Sequence, residues 1–135
     1  MSDLELLMKA IEARSFAYAP YSNHRVGAAL VSKSGKIYLG CNVESAAYSP
    51  TNCAERTAVF KAVSEGEREF TAIAIVGGMG DNLSEICAPC GVCRQVLREF
   101  SDGSLRVVMG TPEKITVSTL EELLPYSFGK ENLAE

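Results

Sequence analysis

The sequence predicts an α/β fold in which helices pack on a mixed sheet of five strands. Segments with apolar residues at helical spacing alternate with short apolar runs bounded by turn residues, and this alternation is typical of α/β proteins. Only a few residues separate the last two apolar runs, whereas a parallel crossover needs roughly a dozen or more. The last two strands are therefore expected to be antiparallel.

The first three helices are predicted from capping residues and apolar periodicity. Ser2 and Glu5 stand in a capping-box relation before apolar residues at helical spacing, and this helix is expected to end before Pro20. A second helix is expected over 53–63 and a third over 94–100, each followed closely by a glycine that stops it.

The C-terminal part of the chain is predicted to contain one short helix. Ser118 and Glu121 repeat the capping-box spacing, and Pro125 would stop the helix after Leu124. The polar residues that follow Phe128 are expected to fray.

The strands are predicted from short apolar runs between turn residues. The first two runs are joined tightly enough for a β-hairpin, with Gly35 able to take the positive φ of its turn. The third run, ending at Gly77, is apolar throughout and typical of a fully buried strand. The predicted strands cover 26–31, 37–43, 71–76, 105–109 and 115–117. We expect residues 1–135 to form a single domain, because no repeat or linker interrupts them.

Charge and composition exclude several classes of function. The chain carries 13 Lys and Arg against 17 Asp and Glu, so its net charge of −4 offers no basic face for a nucleic acid and favours a small or neutral substrate. The N-terminus lacks a basic run before an apolar core, and no apolar stretch approaches the roughly 20 residues of a membrane span. We expect a cytoplasmic protein with no membrane partner.

The five cysteines indicate a metal site. In a reducing compartment, clustered cysteines are more often metal ligands or catalytic groups than disulfides. Cys87, Cys90 and Cys93 contain two Cys-x-x-Cys pairs, so spacing alone does not choose the ligands. Cys90 follows Pro89 and Cys93 leads into a helix, whose positive end favours thiolate. Together with Cys53, which also lies at a helix start, they predict a Zn²⁺ site of three thiolates with one corner free for water.

Glu55 is the predicted proton carrier of this site. Positions two apart on a helix point to nearly opposite sides, because each residue turns the helix by about 100°. Cys53 and Glu55 can share one metal only beyond the helix N-terminus, with Cys53 as ligand and Glu55 reaching the water instead. Two other interpretations stay open: Glu55 completing a capping box with Asn52, and a closed structural zinc site of four sulfurs that adds Cys87.

These residues carry a resemblance to a known family. Cys, one residue and Glu at 53–55, followed downstream by Pro-Cys-x-x-Cys at 89–93, is the signature of the zinc deaminases. The chain resembles the cytidine deaminases of the small, homotetrameric type with three cysteine zinc ligands. Further matches lie at 20–22, 26–30, 40–44, 53–58, 89–96, 123–125 and Phe128.

The resemblance implies a three-layer α/β/α sandwich and zinc-dependent hydrolytic deamination of cytidine and 2′-deoxycytidine to the uridines, with release of ammonia, as in pyrimidine salvage. It implies that Asn42 and Glu44 bind the ribose 3′-hydroxyl and that the backbone at Ala54 contacts the base. It also implies a homotetramer in which neighbouring subunits complete each site. The residues contributed in this way would be Ala46, Tyr48 and Phe128.

Arg56 and His24 are expected to modify this chemistry. Three thiolates over-neutralise Zn²⁺ and weaken it as a Lewis acid, so we expect Arg56 to hydrogen-bond the ligand sulfurs rather than to serve as a solvated helix charge. His24 stands where the family usually has Phe, whose ring walls the pyrimidine pocket. An imidazole can still stack there, but it adds a hydrogen-bond donor and a pH-sensitive charge.

Other interpretations stay open for the substrate-binding residues. Asn42 and Glu44 could form only a turn at the end of a strand. The substrate could be another cytosine-containing nucleoside, or RNA or DNA, although a carboxylate at the sugar repels nearby phosphates. Cys41, as small core filling, and Cys87 are expected to be inert.

Overall fold

A computed structural model describes residues 1–134 of the chain, and five of its segments form one sheet. The strands are β1 (His24–Ser32), β2 (Ile37–Cys41), β3 (Phe70–Met79), β4 (Arg106–Thr111) and β5 (Lys114–Thr119). Their order across the sheet is β2-β1-β3-β4-β5. β1 runs antiparallel to both β2 and β3, β3 runs parallel to β4, and β4 runs antiparallel to β5. The predicted mixed sheet is confirmed, and so is its antiparallel final pair.

Helices cover both faces of the sheet and give the fold three layers, as expected. They are α1 (Asp3–Arg14), α2 (Ala54–Ser64), α3 (Gly91–Phe100) and α4 (Leu120–Leu123), followed by a 3-10 helix (Lys130–Leu133). Leu7 of α1 packs on one face, whereas Val59 of α2 and Leu97 of α3 pack on the other. Burying one such side chain stabilises the fold by about 1.5–3 kcal/mol. Within residues 1–134, no helix is long and apolar enough to cross a membrane.

Side chains and glycines fix where the helices lie. Ser2 and Glu5 form the predicted capping box in both directions at the start of α1. At Gly27 an added Cβ would come within 2.0 Å of the Ala10 carbonyl oxygen, and at Gly40 within 2.4 Å of the Ala54 carbonyl oxygen. Because Gly40 carries no side chain, the first turn of α2 can lie directly against β2.

The ends of β2 and β3 differ from the sequence prediction. β3 continues through Gly77 to Met79 because these residues still pair with β1, and the open side of Gly77 receives the Cys87 sulfur. β2 ends at Cys41 instead of residue 43. The Asn42 N–H still donates to the Val26 carbonyl over 3.3 Å, but the Val26 N–H donates to the side-chain Oδ1 of Asn42 instead of to a backbone carbonyl, and the ladder ends there.

Three predictions about helical segments were also wrong. The last capping box is formed by Thr119 and Glu122, one residue later than expected, because Ser118 is still paired with Val107 in the sheet. α3 begins at Gly91, three residues before its predicted start. The C-terminal segment does not fray but forms the 3-10 helix.

Two contacts hold this C-terminal segment on α3. Arg98 Nη2 lies 2.8 Å from the Glu131 carboxylate, and Gln95 Nε2 donates to the Phe128 carbonyl oxygen over 2.8 Å. These partners lie more than 30 positions apart along the chain, so the local polarity of the segment gave no sign of them.

Candidate active site

Three cysteine sulfurs meet where the N-termini of α2 and α3 come together. Cys53 is the N-cap of α2, Cys90 is the N-cap of α3, and Cys93 lies in the first turn of α3. Their sulfurs all lie within 4.8 Å of one another, and those of Cys53 and Cys90 are 3.7 Å apart. Tetrahedral zinc with Zn–S bonds of about 2.3 Å separates its sulfurs by about 3.8 Å. The three predicted ligands therefore fit Zn²⁺.

The contact between Cys93 and Cys53 favours the thiolate form, which a metal requires, at Cys53, and it raises the pKa of Cys93. The pKa of Cys53 is lowered to about 5, mainly because the Cys93 thiol donates a hydrogen bond to its sulfur, although burial acts in the opposite direction. The N–H of Cys93 donates to the Cys90 sulfur over 3.5 Å. A helix N-terminus thus supplies a backbone donor to one ligand, as expected from its unpaired first-turn N–H groups.

Arg56 lies against this cluster. Its Nη2 atom donates to the Cys53 sulfur over 3.2 Å, and this contact raises the pKa of the guanidinium. Its Nε atom is buried without a partner among residues 1–134. The contact agrees with the expected bond from Arg56 to a ligand sulfur and argues against a merely solvated helix charge.

Glu55 is a buried carboxyl beside the sulfurs. Its side chain is 3% exposed, and its pKa is raised to about 7, first by burial and then by the negative charge of Cys53. Asn52 does not cap α2, because the N-cap is Cys53 and the Asn52 amide donates to the Thr57 hydroxyl. The capping-box interpretation of Glu55 is therefore wrong. A carboxyl with a pKa near 7 can accept and release a proton at neutral pH.

Cys87 does not join the three-sulfur cluster. In the described part of the chain, the group of possible metal ligands at this place comprises Cys53, Cys90 and Cys93. The Cys87 sulfur instead lies 4.0 Å from Nε2 of His24. Cys87 therefore does not complete a closed site of four sulfurs.

Arg94, a residue not predicted to belong to the site, holds the backbone that precedes Cys90. Its Nε atom donates to the carbonyl of the buried Pro89 over 2.7 Å, and its Nη1 atom donates to the Leu123 carbonyl over 2.6 Å. Arg94 follows Cys93 directly in the sequence, which could have marked it as part of the site.

Glu44 is held in place by the turn that precedes β1. Its Oε1 atom accepts the backbone N–H groups of Tyr21 and Ser22 at 3.0 and 3.1 Å, and its Oε2 atom accepts the Ser22 hydroxyl. The Ser22 hydroxyl lowers the pKa of Glu44, so the carboxylate is charged. No local sequence pattern indicated this role of Ser22. A cavity of about 400 Å³ opens here, lined by Tyr21, Ser22, Glu44, Ser45, Tyr48 and Thr51.

Asn42 is placed differently from Glu44. It is 8% exposed, its Oδ1 atom accepts the Val26 N–H at 2.9 Å, and its Nδ2 atom donates to the His24 carbonyl at 2.8 Å. Asn42 therefore ties the start of β1 to the segment that carries Glu44, and this goes beyond the simple turn that the sequence left open.

The remaining predicted site residues fall into two groups. Ala54 is fully buried as the first residue of α2, where its N–H belongs to the first helical turn, and His24 is partly buried at the start of β1. Ala46, Tyr48 and Phe128 are exposed in this chain. Tyr48 has a positive φ of 61° and its ring packs edge-on to Tyr21.

An α/β/α sandwich that sets an open three-thiolate cluster beside a buried carboxyl defines the class of catalytic zinc hydrolases. Comparison with known proteins narrows this class. A family model described as "Cytidine and deoxycytidylate deaminase zinc-binding region" matches residues 1–111. The chain belongs to the family of cytidine and deoxycytidylate deaminases.

Individual relatives support this assignment. The cytidine deaminase of Sporosarcina psychrophila is 49% identical over 96% of this chain and 93% of its own length. That of Halalkalibacterium halodurans is 46% identical over 97% of this chain and 98% of its own length. The crystal structure of cytidine deaminase from Burkholderia pseudomallei has a TM-score of 0.87 and 46% identity, covering 95% of this chain and 100% of the other.

Proposed function

We propose that this chain deaminates cytidine and 2′-deoxycytidine hydrolytically, giving uridine or 2′-deoxyuridine and ammonia. The observation that carries the proposal is the buried Glu55 carboxyl beside the cluster of Cys53, Cys90 and Cys93. A purely structural zinc site is closed by four protein ligands and has no function for such a buried carboxyl. The relatives named cytidine deaminases support the choice of substrate.

Glu55 moves the protons in the proposed reaction. Zinc held by Cys53, Cys90 and Cys93 supplies Lewis-acid activation of a water molecule when it is bound. Glu55 takes one proton from the water and delivers it to ring N3 while the water oxygen forms its bond to C4. Glu55 then carries the second proton to the exocyclic nitrogen, the C4–N4 bond breaks, and the nitrogen leaves as ammonia.

The substrate-binding residues are part of the proposal. Glu44 and Asn42 bind the ribose 3′-hydroxyl, the backbone at Ala54 contacts the base, and His24 forms a wall of the base pocket. The charged Glu44 carboxylate beside an open cavity supports a neutral sugar hydroxyl, rather than a phosphate, at this place.

We also propose a homotetramer in which Ala46, Tyr48 and Phe128 of neighbouring subunits complete each site. Tyr48 and Phe128 are 75% and 57% exposed, and subunit contacts would cover their rings. Residues 1–135 would act as one domain in the cytoplasm, where reducing conditions keep the cysteines available to the metal.

An ultraviolet assay of cytidine loss tests the proposed function. The zinc-loaded protein is expected to convert cytidine, a chelator to abolish the conversion, and zinc to restore it. Conversion that persists after the zinc has been removed and its absence measured would contradict the proposal. Parallel assays with 2′-deoxycytidine and with other cytosine-containing nucleosides would reveal the alternative substrate class.

The alternative of a non-catalytic zinc module is tested by the number of sulfur ligands. X-ray absorption at the zinc edge is expected to report three sulfurs and one lighter atom. Four sulfurs would mean that Cys87 closes the site, and the catalytic proposal would then fail.

A further inference from the structure

His24, the single histidine of the sequence, and Cys87 contact each other at one side of the proposed active site. Nε2 of His24 lies 4.0 Å from the Cys87 sulfur, at the long end of the range for a hydrogen bond to sulfur. Both side chains are partly buried. The two residues lie 63 positions apart in the sequence, so only the fold brings them together.

The backbone of His24 is fixed by the residues proposed to bind the ribose. Its N–H donates to the Ser22 hydroxyl over 3.0 Å, and that hydroxyl in turn binds Glu44. Its carbonyl accepts from Asn42 Nδ2 over 2.8 Å. The backbone of His24 is therefore anchored at the sugar side of the proposed site.

Cys87 lies on the side of the zinc cluster. Its sulfur packs against β3 at Gly77, where an added Cβ would come within 2.6 Å of it, and the negative charges of Glu55 and Cys53 act on its thiol. The pair of His24 and Cys87 thus joins the sugar side to the proton-carrying carboxyl. The base of a bound nucleoside has to lie between these two places.

We propose that Cys87 is a positioning residue for His24: its S–H donates to Nε2, which places the imidazole proton on Nδ1 and fixes the ring as a determinant of base binding. This inference rests on the proposed function. Burial raises the pKa of Cys87 to about 11, so the thiol keeps its proton and is a donor at neutral pH. In a neutral imidazole, the hydrogen bond made at one nitrogen decides that the other carries the proton.

The single histidine allows a direct test by nitrogen-15 NMR of the zinc-loaded protein at about pH 8, where an imidazole in water is neutral. The wild type and Cys87→Ser are expected to show the proton on Nδ1, and Cys87→Ala to shift it to Nε2, which a free imidazole favours. Cys41→Ala is the matched control for loss of a thiol and should leave the tautomer as in the wild type. A proton on Nε2 in the wild type, or the same tautomer in Cys87→Ala, would overturn the inference.

Kinetics of a double-mutant cycle test the effect on the substrate. Cys87→Ala is expected to raise KM for cytidine about 2–10-fold, the effect of losing one hydrogen bond, with a smaller change in kcat. In a His24→Phe background the same change should alter KM by less than about 2-fold, because the partner is absent. An equal rise in both backgrounds would overturn the inference. A wild type that leaves cytidine unchanged would instead refute the proposed function, and the NMR result would stand apart from it.

Discussion

Arg56 donates from Nη2 to the Cys53 sulfur over 3.2 Å, three residues apart at the start of α2. Residues at this spacing face each other across one helical turn, so the helix itself pairs the guanidinium with a zinc ligand. Three thiolates on Zn²⁺ leave one excess negative charge, which weakens the metal as a Lewis acid. We propose that the Arg56 guanidinium would offset this charge when zinc is bound, through its contact with the Cys53 sulfur.

Replacing Arg56 by alanine is expected to lower kcat by about 10–100-fold at full zinc occupancy, the usual effect of removing a group that tunes a metal ligand. The measurement is kcat for cytidine together with the zinc content of the same sample. Arg68→Ala is the matched control, because Arg68 is exposed beyond the other end of α2 and donates to the Val63 carbonyl. An unchanged kcat in Arg56→Ala protein with full zinc occupancy would contradict this role of Arg56.

Asn42 and Glu44 are expected to respond differently to substitution. Asn42→Ala strands the buried Val26 N–H, so it should lower the free energy of unfolding by about 1–3 kcal/mol in addition to raising KM. Glu44→Gln changes a carboxylate at the open cavity and should raise KM with a smaller loss of stability. Urea unfolding and KM for cytidine check both variants. If Asn42→Ala were as stable as the wild type, its place as a link between β1 and the ribose side would be wrong.

The buried Glu55 carboxyl makes the stability of the zinc-free protein depend on pH. Its pKa in the folded chain is raised from 4.5 to about 7, so folding favours the protonated form. Its contribution is therefore fully present below about pH 4.5 and is lost as the pH rises through 7. A shift of this size corresponds to about 3 kcal/mol.

Glu55→Gln removes this dependence. In chelator-treated protein, the variant should be more stable than the wild type by up to about 3 kcal/mol at pH 8, and the difference should vanish near pH 4. Urea unfolding of both proteins across this range measures the difference. A wild type that gained stability relative to the variant as the pH rose would contradict the assigned environment of the carboxyl.

Local sequence patterns predicted the parts of the fold and site that depend on spacing. The short connection before β5 required an antiparallel pair, and two helices were expected to begin next to the cysteines and to bring their N-termini to one cluster, although α3 begins three residues earlier than predicted. The two-residue spacing of Cys53 and Glu55 places both residues at the start of α2, and their separate roles as ligand and proton carrier stay a prediction. These features follow from chain geometry within one or two turns.

The contacts that the sequence did not predict join distant segments. Nothing in the residues around Ser22 indicates that it binds Glu44, and the C-terminal 3-10 helix depends on Arg98 meeting Glu131. Cys87 lies in the loop before α3, and no local pattern indicated that its sulfur comes within 4.0 Å of Nε2 of His24 at the start of β1. Such pairs are decided by packing of the whole sheet, which periodicity and capping rules do not describe.

The role of Glu55 is decided by an ultraviolet assay of cytidine loss that compares Glu55→Gln with the wild-type protein at equal measured zinc occupancy. The wild type is expected to convert cytidine, and the variant to retain zinc but lose about 10²–10⁴-fold in kcat, the usual contribution of one acid–base group. Equal rates in the two zinc-loaded proteins would contradict the assignment of Glu55 as the proton carrier of a catalytic zinc centre.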